Sequence, residues 1–141
     1  MSAIKEVTTP EQLSRCTKVI QSLRTHLSES EIADFYATMQ SQHYHMLFIE
    51  HNGEPAAFCG YRFITHFFSG NIIYIDDLGT LPEYRKFGYG SLLLDYVFDL
   101  AKEKGLDGVQ LDSGHHRYDA HRLYLNKGFQ IVSHHFSKKL K

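Results

Sequence analysis

The sequence predicts a mixed α/β domain with a mostly antiparallel sheet flanked by helices, and three observations carry that prediction. The first third of the chain repeats its apolar residues at helical spacing. From His45 onward, β-branched and aromatic residues crowd together between hairpin breaks. Beyond Leu81 the pattern alternates helix, strand, helix, strand. Strands joined through helical crossovers lie parallel, so part of the sheet is expected to be parallel. With 141 residues, the span 1–141 reads as one domain around one core.

The elements follow in order. Thr9 is placed to cap a helix opened by Pro10, and Leu13, Cys16, Val19 or Ile20 and Leu23 recur on one face, which predicts a helix over 10–23. Ser28 or Ser30 can cap a second helix whose stripe is Ile32, Phe35, Tyr36 and Met39. Asn52-Gly53 and Ser69-Gly70-Asn71 separate three antiparallel strands, 46–51, 55–67 and 72–81. A helix over 90–104 closed by Gly105 comes next, followed by the short strand "GVQLDS". A helix over 117–127 closed by Gly128 and a final strand "FQIVSHHFS" complete the chain. No internal repeat or low-complexity segment interrupts this order.

Composition narrows the function. Fifteen Lys+Arg against 16 Asp+Glu leave almost no net charge, which speaks against a nucleic-acid partner. The opening "MSAIKEVTTPEQ" has no basic region followed by an apolar run, and no apolar segment is long enough to cross a bilayer, so no membrane partner and a cytoplasmic location are expected. Cys16 and Cys59 have neither metal-type spacing nor a C-x-x-C arrangement and read as reduced structural thiols. The 10 histidines include the adjacent pairs His115-His116 and His134-His135, a poor arrangement for one metal ion, so no metal is expected.

The stretch "LPEYRKFGYGSLLLDYVFDLAKEKG" sets two glycines where a strongly patterned helix begins. The first amides of a helix lack intrahelical partners, and the helix dipole favours negative charge there. Gly88 and Gly90 let backbone approach an oxyanion, and Arg85 adds fixed positive charge. A G-x-G pair alone also describes a plain strand-to-helix turn. The stretch is not a P-loop, since no G-K-S/T follows. It is not a dinucleotide fingerprint either, because the third glycine is missing.

This segment resembles the coenzyme-binding segment of the GNAT superfamily of N-acetyltransferases, strand, V-x-P-x-x-R-G-x-G-x-G/A, helix, through Pro82, Arg85, Gly88 and Gly90. Further along, "AHRLYLNKGF" is similar to the family's A-x-x-x-Y-x-x-x-G-F helix end through Ala120, Tyr124, Gly128 and Phe129. The resemblance implies the GNAT fold, in which the fourth and fifth strands splay apart. It also implies that amides of Lys86, Phe87, Gly88, Tyr89, Gly90 and Ser91 hold the pyrophosphate of acetyl-CoA, and that Leu78, Gly79 and Thr80 pair with its pantetheine arm. Tyr124 then protonates the leaving thiolate. Lys86 stands where the family has a third small residue. Arg117 stands where many members carry a coenzyme-contacting Asn. Gly79 departs from the family's bulky strand residues and is expected to mark a bulge or a close approach of pantetheine.

Acetyl transfer to an amine requires a base near the nitrogen and an acid near the sulfur. Asp76 and Asp77 are adjacent acids in an otherwise apolar strand, and alternation sends them to opposite faces, so at most one should enter the cleft. Each also fits a plain solvated or capping carboxylate. "IYIDDLGTLPEYR" resembles the corresponding strand of spermidine/spermine acetyltransferases, which implies Asp76 as base and Asp77 as its acidic neighbour, and leans toward a cationic amine. His115, His116 and Arg117 follow the fifth strand, where they could line the acceptor pocket. The resulting expectation is transfer from acetyl-CoA to a primary amine of a small molecule (a polyamine, an amino acid or similar) by direct attack in a ternary complex, in a chain able to form a homodimer. A protein or peptide acetyltransferase and a non-catalytic acyl-CoA sensor share the coenzyme segment and stand as alternatives.

Overall fold

A computed structural model describes residues 3–141, which form two compact units, one up to Gln110 and one from Leu111 to Lys141. The first begins with a strand absent from the sequence expectation, β1 (Ile4–Glu6), too short to show a period. Three helices follow: α1 (Pro10–Arg15), α2 (Thr17–Leu23) and α3 (Glu29–Gln40). The single helix expected over 10–23 is therefore broken at Cys16, whose backbone (φ −84°, ψ −1°) ends α1 and starts α2. Thr9 and Ser28 each accept from the third residue of their helix, and Gln12 and Glu31 return the bond in two capping boxes.

The sheet continues with β2 (Tyr44–His51), β3 (Glu54–His66) and β4 (Gly70–Thr80), and closes with β5 (Gly108–Leu111), in the spatial order β1-β2-β3-β4-β5. The first four strands pair antiparallel. Asn52 (φ 50°) and Gly53 (φ 80°) supply the positive φ values of the β2–β3 turn, as the dipeptide led one to expect. Both sheet faces are covered. Tyr44, Met46, Phe48 and Phe58 join Leu13, Cys16, Val19, Ile20 and Ile32 of the first three helices in one core. Leu47 and Ile49 alternate with them and are equally buried, on the face that α4 (Tyr89–Glu103) covers with Leu93, Leu94, Val97 and Ala101.

β5 has 4 residues against 11 in β4. The Asp107 amide donates to the Asn71 carbonyl at 2.8 Å, so the two strands meet at the beginning of β4. Along its later half β4 pairs with β3 through Asp77–Gly60, Leu78–Cys59, Gly79–Phe58 and Thr80–Ala57.

In the second unit, α5 (Tyr118–Asn126) ends where expected, with Gly128 at φ 92° and the Phe129 amide donating back to the Tyr124 carbonyl at 3.0 Å. The expected last strand, "FQIVSHHFS", is not formed: 129–141 has no regular structure. Ile131 and Phe136 are 83% and 92% exposed. A strand exists through its ladder, and apolar alternation without a bonded neighbour does not make one. Among the described residues no helix is long and apolar enough to cross a membrane.

Candidate active site

Beyond β4, Leu81 is tied back by its amide to the Ala56 carbonyl at 2.8 Å, and Pro82 opens a 3-10 helix, Pro82–Phe87. Gly88 then adopts the left-handed conformation (φ 73°, ψ 21°), ending the 3-10 helix and starting α4. No side chain caps α4, which leaves its leading amides for another acceptor. A Cβ on Gly88 would meet nothing within 4 Å, so glycine is required there by conformation and not by crowding. Arg85 and Lys86 are exposed beside it. The turn is pinned from below: Tyr89 is buried and its hydroxyl lies 2.6 Å from His51 Nδ1, while the His51 ring stacks at 4.5 Å on Tyr84 and lies 4.5 Å from Phe87. An open, uncapped helix start next to two cations suits a phosphate group.

The expected outcome of substitution at Gly88 follows from its φ. Ala pays about 1–2 kcal/mol to hold a left-handed conformation, Asn pays less and Val more. The KM for acetyl-CoA should rise in the order Gly, Asn, Ala, Val, by up to roughly 30-fold for Ala. A series ranked by side-chain size, with Asn above Ala, would show that space and not conformation governs the turn.

Leu78, Gly79 and Thr80 pair with Cys59, Phe58 and Ala57 of β3. Gly79 is not the bulge that its place in a strand suggested. A Cβ there would lie 3.0 Å from Phe58 Cε1 and 3.2 Å from Leu23 Cβ, so Gly79 admits the α2 helix onto the sheet.

The bulge lies earlier. Gly60 pairs with Asp77 but Tyr61 pairs with Ile75, leaving Asp76 as the extra residue of β4. This overturns the expectation that the two acids point to opposite faces. Asp77 shares the helix-covered face with its ladder partner Gly60, and the register shift lets the Asp76 side chain reach that face as well. Asp77 Oδ1 accepts from Arg24 Nε at 2.9 Å and Oδ2 from the Tyr44 hydroxyl at 2.7 Å. Asp76 Oδ2 accepts from Arg62 Nε at 2.8 Å, and its carbonyl accepts from Arg24 Nη2 at 2.8 Å. Arg62 also lies over the Tyr44 ring, 5.8 Å from its centroid, and donates to Gln42 Oε1 at 3.2 Å.

Burial pushes the Asp76 carboxyl above the usual carboxylate range; the neighbouring Asp77 adds to this, and the Arg62 hydrogen bond opposes it. Tyr44 is held far above the ordinary phenol value, first by burial and then by Asp77, so it remains a donor. Both oxygens of Asp77 are engaged, whereas Asp76 has one oxygen outside these bonds. That difference makes Asp76 the better proton acceptor of the two.

Arg24, Gln42, Tyr44 and Asp77 of this cluster line a cavity of about 530 Å³, whereas Asp76 and Arg62 adjoin them outside its lining. Ile20, Leu27, Ile32, Met46 and Phe58 supply apolar walls, with Phe35, Tyr36 and Met39 from α3. Arg24, His26, Gln42, Tyr44 and Asp77 supply its polar groups. Sequence reasoning did not single out Arg24, Gln42, Tyr44 or Arg62. One local signal existed: Arg62 is a charge inside an apolar strand, the same anomaly that drew attention to Asp76 and Asp77.

Tyr124 and Arg117 belong to the second unit. Tyr124 is half-buried on α5, its ring edge-on to Phe129 at 5.8 Å, and Arg117 precedes the first turn of α5. The nearby histidines are engaged locally: His121 Nε2 lies 2.8 Å from the Gly114 carbonyl oxygen, and the His115 and His116 rings meet edge-on at 5.6 Å.

A family model for the acetyltransferase (GNAT) family matches residues 11–129. The chain is 36% identical to the uncharacterized N-acetyltransferase YhdJ of Bacillus subtilis (strain 168), over 98% of this chain and 99% of that one. It is 27% identical to the aminoalkylphosphonate N-acetyltransferase of Salmonella typhimurium, over 97% and 90% of the two chains. Among solved structures, AAC(6')-Iy in complex with the bisubstrate analog CoA-S-monomethyl-acetylneamine shares the fold at a TM-score of 0.82, with 15% identity over 100% of this chain and 99% of that one.

Proposed function

The chain belongs to the GNAT acetyltransferase family and is an N-acetyltransferase, and from that premise we propose that it moves an acetyl group from acetyl-CoA to the primary amine of a small molecule. The observation that carries the small-molecule acceptor is the cavity of about 530 Å³, walled by aliphatic and aromatic side chains and polar at the Asp77 cluster. AAC(6')-Iy is named as an aminoglycoside N-acetyltransferase and the Salmonella relative as an aminoalkylphosphonate N-acetyltransferase, names that both point to small-molecule amines and are in keeping with this reading.

Acetyl-CoA supplies the acetyl group as an activated thioester. The residues present suit it: the open turn at Gly88, the uncapped start of α4 at Tyr89, Gly90 and Ser91, and the exposed Arg85 and Lys86 are the groups that would hold its phosphates. Leu78, Gly79 and Thr80 are the strand residues whose backbone would meet its arm. Asp76 Oδ1 takes the proton that the amine must lose, and Tyr124 carries the proton-donor role toward sulfur. Asp77 and Tyr44 position the arginines around the base. Transfer is direct. Burial pushes the Cys16 thiol up to about 12 and raises the Cys59 thiol further, so neither is a thiolate able to carry the acetyl group.

Thiol release from acetyl-CoA over a panel of polyamines, amino acids, aminoglycosides and short peptides tests this reading, with Tyr124→Phe beside the wild type. The expected result is turnover on a small amine that falls at least tenfold in the variant. Turnover confined to peptides would overturn the small-molecule acceptor, and tight acetyl-CoA binding without turnover on any amine would overturn the enzyme assignment of this site.

A further inference from the structure

The polar end of the acceptor cavity is neutralised. Asp77, which lines it, is matched by Arg24 at 2.9 Å, and the adjacent Asp76, outside the lining, by Arg62 at 2.8 Å. The pair of acids that, read from sequence, leaned toward a cationic amine therefore offers no surplus negative charge. Apart from Asp76 Oδ1, the oxygen assigned to the reacting amine, the group left with donor capacity is positive. Arg24 spends Nε and Nη2 on Asp77 and the Asp76 carbonyl, which leaves Nη1 without a hydrogen-bond partner among the described residues, in a side chain that is 40% exposed and lines the cavity. His26 lines the same end, two residues along. Guanidinium Nη1 is a donor only and never loses its charge, so the group it suits is an anion.

We infer that the acceptor is an amphoteric amine: a small molecule carrying, besides the reacting primary amine, a carboxylate or phosphonate that lodges on Arg24 Nη1 and His26, with an apolar middle against Ile20, Phe35 and Tyr36. This rests on the acceptor reading of the cavity and fixes the substrate class within it. A second ammonium in place of the anion would have to give up water beside Arg24 with both Asp77 oxygens already engaged and Asp76 Oδ1 assigned to the reacting amine, a double penalty. An anion there adds charge-assisted hydrogen bonds in a partly desolvated pocket, an advantage of about 10- to 100-fold in affinity.

The test compares matched acceptors that share one reacting end: propylamine, 1,3-diaminopropane and 3-aminopropylphosphonate, with phenethylamine and 4-(2-aminoethyl)benzoate as a second pair. The kcat/KM of the anion-bearing member should exceed that of its neutral partner by at least tenfold, mainly through KM, with diaminopropane the poorest of the first set. In Arg24→Gln the ratio of anionic to neutral substrate should collapse toward unity, and in Arg24→Lys it should recover in part. The ratio is read within one variant, so a loss of folded protein does not move it. His26→Ala, which leaves the Asp77 bonds in place, should reduce the ratio by a smaller factor. Diaminopropane or the neutral amines outperforming their anionic partners in the wild type would overturn the inference while leaving the small-amine reading intact. An anion preference unchanged in Arg24→Gln would overturn the assignment to Arg24, and turnover on none of the five would count against this substrate class and against the small-amine reading together.

Discussion

Asp76→Asn should lower kcat/KM for the amine by about 10²- to 10⁴-fold, the range a positioned general base contributes, with acetyl-CoA binding by calorimetry little changed. Asn keeps an oxygen for Arg62 Nε and the shape of the bulge but cannot take a proton. The carboxyl is raised above its ordinary range chiefly by burial, which strengthens it as a base and sets the sign of two pH effects. In the wild type kcat/KM should fall as pH drops through this raised value, since the protonated acid accepts nothing. Stability should respond in the same window. The native state holds the Asp76 proton to higher pH than the unfolded chain does, so the wild type loses stability as pH rises from the ordinary carboxylate range through the raised value. Asp76→Asn lacks that dependence, and the difference in melting temperature should move in favour of the variant across the window. Asp77→Asn should act differently, through loosened Arg24 and Tyr44, and be felt in KM more than in kcat. If Asp76→Asn keeps kcat/KM within threefold of wild type while Asp77→Asn does not, the base assignment belongs to Asp77.

Asp76 also shows where sequence reasoning reaches and where it stops. Features set by one or two residues were legible. Asn52-Gly53, Gly105 and Gly128 sit at positive φ where a turn or helix end was expected, and Thr9 and Ser28 cap the helices assigned to them. The glycine turn at Gly88 was legible for the same reason. The bulge was not, because nothing in "IYIDDLGT" distinguishes a strict alternation from one that slips by a residue. That slip is decided by what the partner strand and α2 offer. Arg24 lies 53 residues from Asp77 in sequence, and Tyr44 lies 33 from it. Pairs so distant leave no local pattern. The unformed final strand fails in the opposite direction: Ile131, Val132 and Phe136 carry a strand-like composition, but a strand is a property of two segments, and composition describes one. Of the two causes that Gly79 suggests, the bulge is not found there, and a Cβ at that position would meet Phe58 and Leu23.

Gly60→Ala should be disproportionately damaging for the addition of one methyl group, lowering stability by roughly 3–5 kcal/mol from overpacking together with the loss of a hydrogen bond to a charged group. The melting temperature should fall by on the order of 10–20 °C. The reason lies in how the sheet face is filled. Tyr44 pairs with Arg62, and Gly60 is the diagonal neighbour two residues along β3, so the phenol crosses directly over the glycine on its way to Asp77. A Cβ on Gly60 would stand 1.6 Å from the Tyr44 hydroxyl oxygen and 2.3 Å from Cζ. Tyr44 is only 4% exposed and part of the helix-side core, so its ring can yield only toward the cavity it lines. Any relief has to break the bond to Asp77 Oδ2, freeing a buried carboxylate oxygen and loosening Arg24 with it. Stability and acceptor binding should therefore fail together. The double variant Gly60→Ala/Tyr44→Phe separates the two contributions: removing the hydroxyl deletes the nearest collision and the hydrogen bond at once, so the two single losses should sum to more than the double loss. Strict additivity, or a fall of less than about 3 °C for Gly60→Ala, would mean that the strand shifts to accommodate the methyl group and that Gly60 does not hold the Tyr44–Asp77 contact in place.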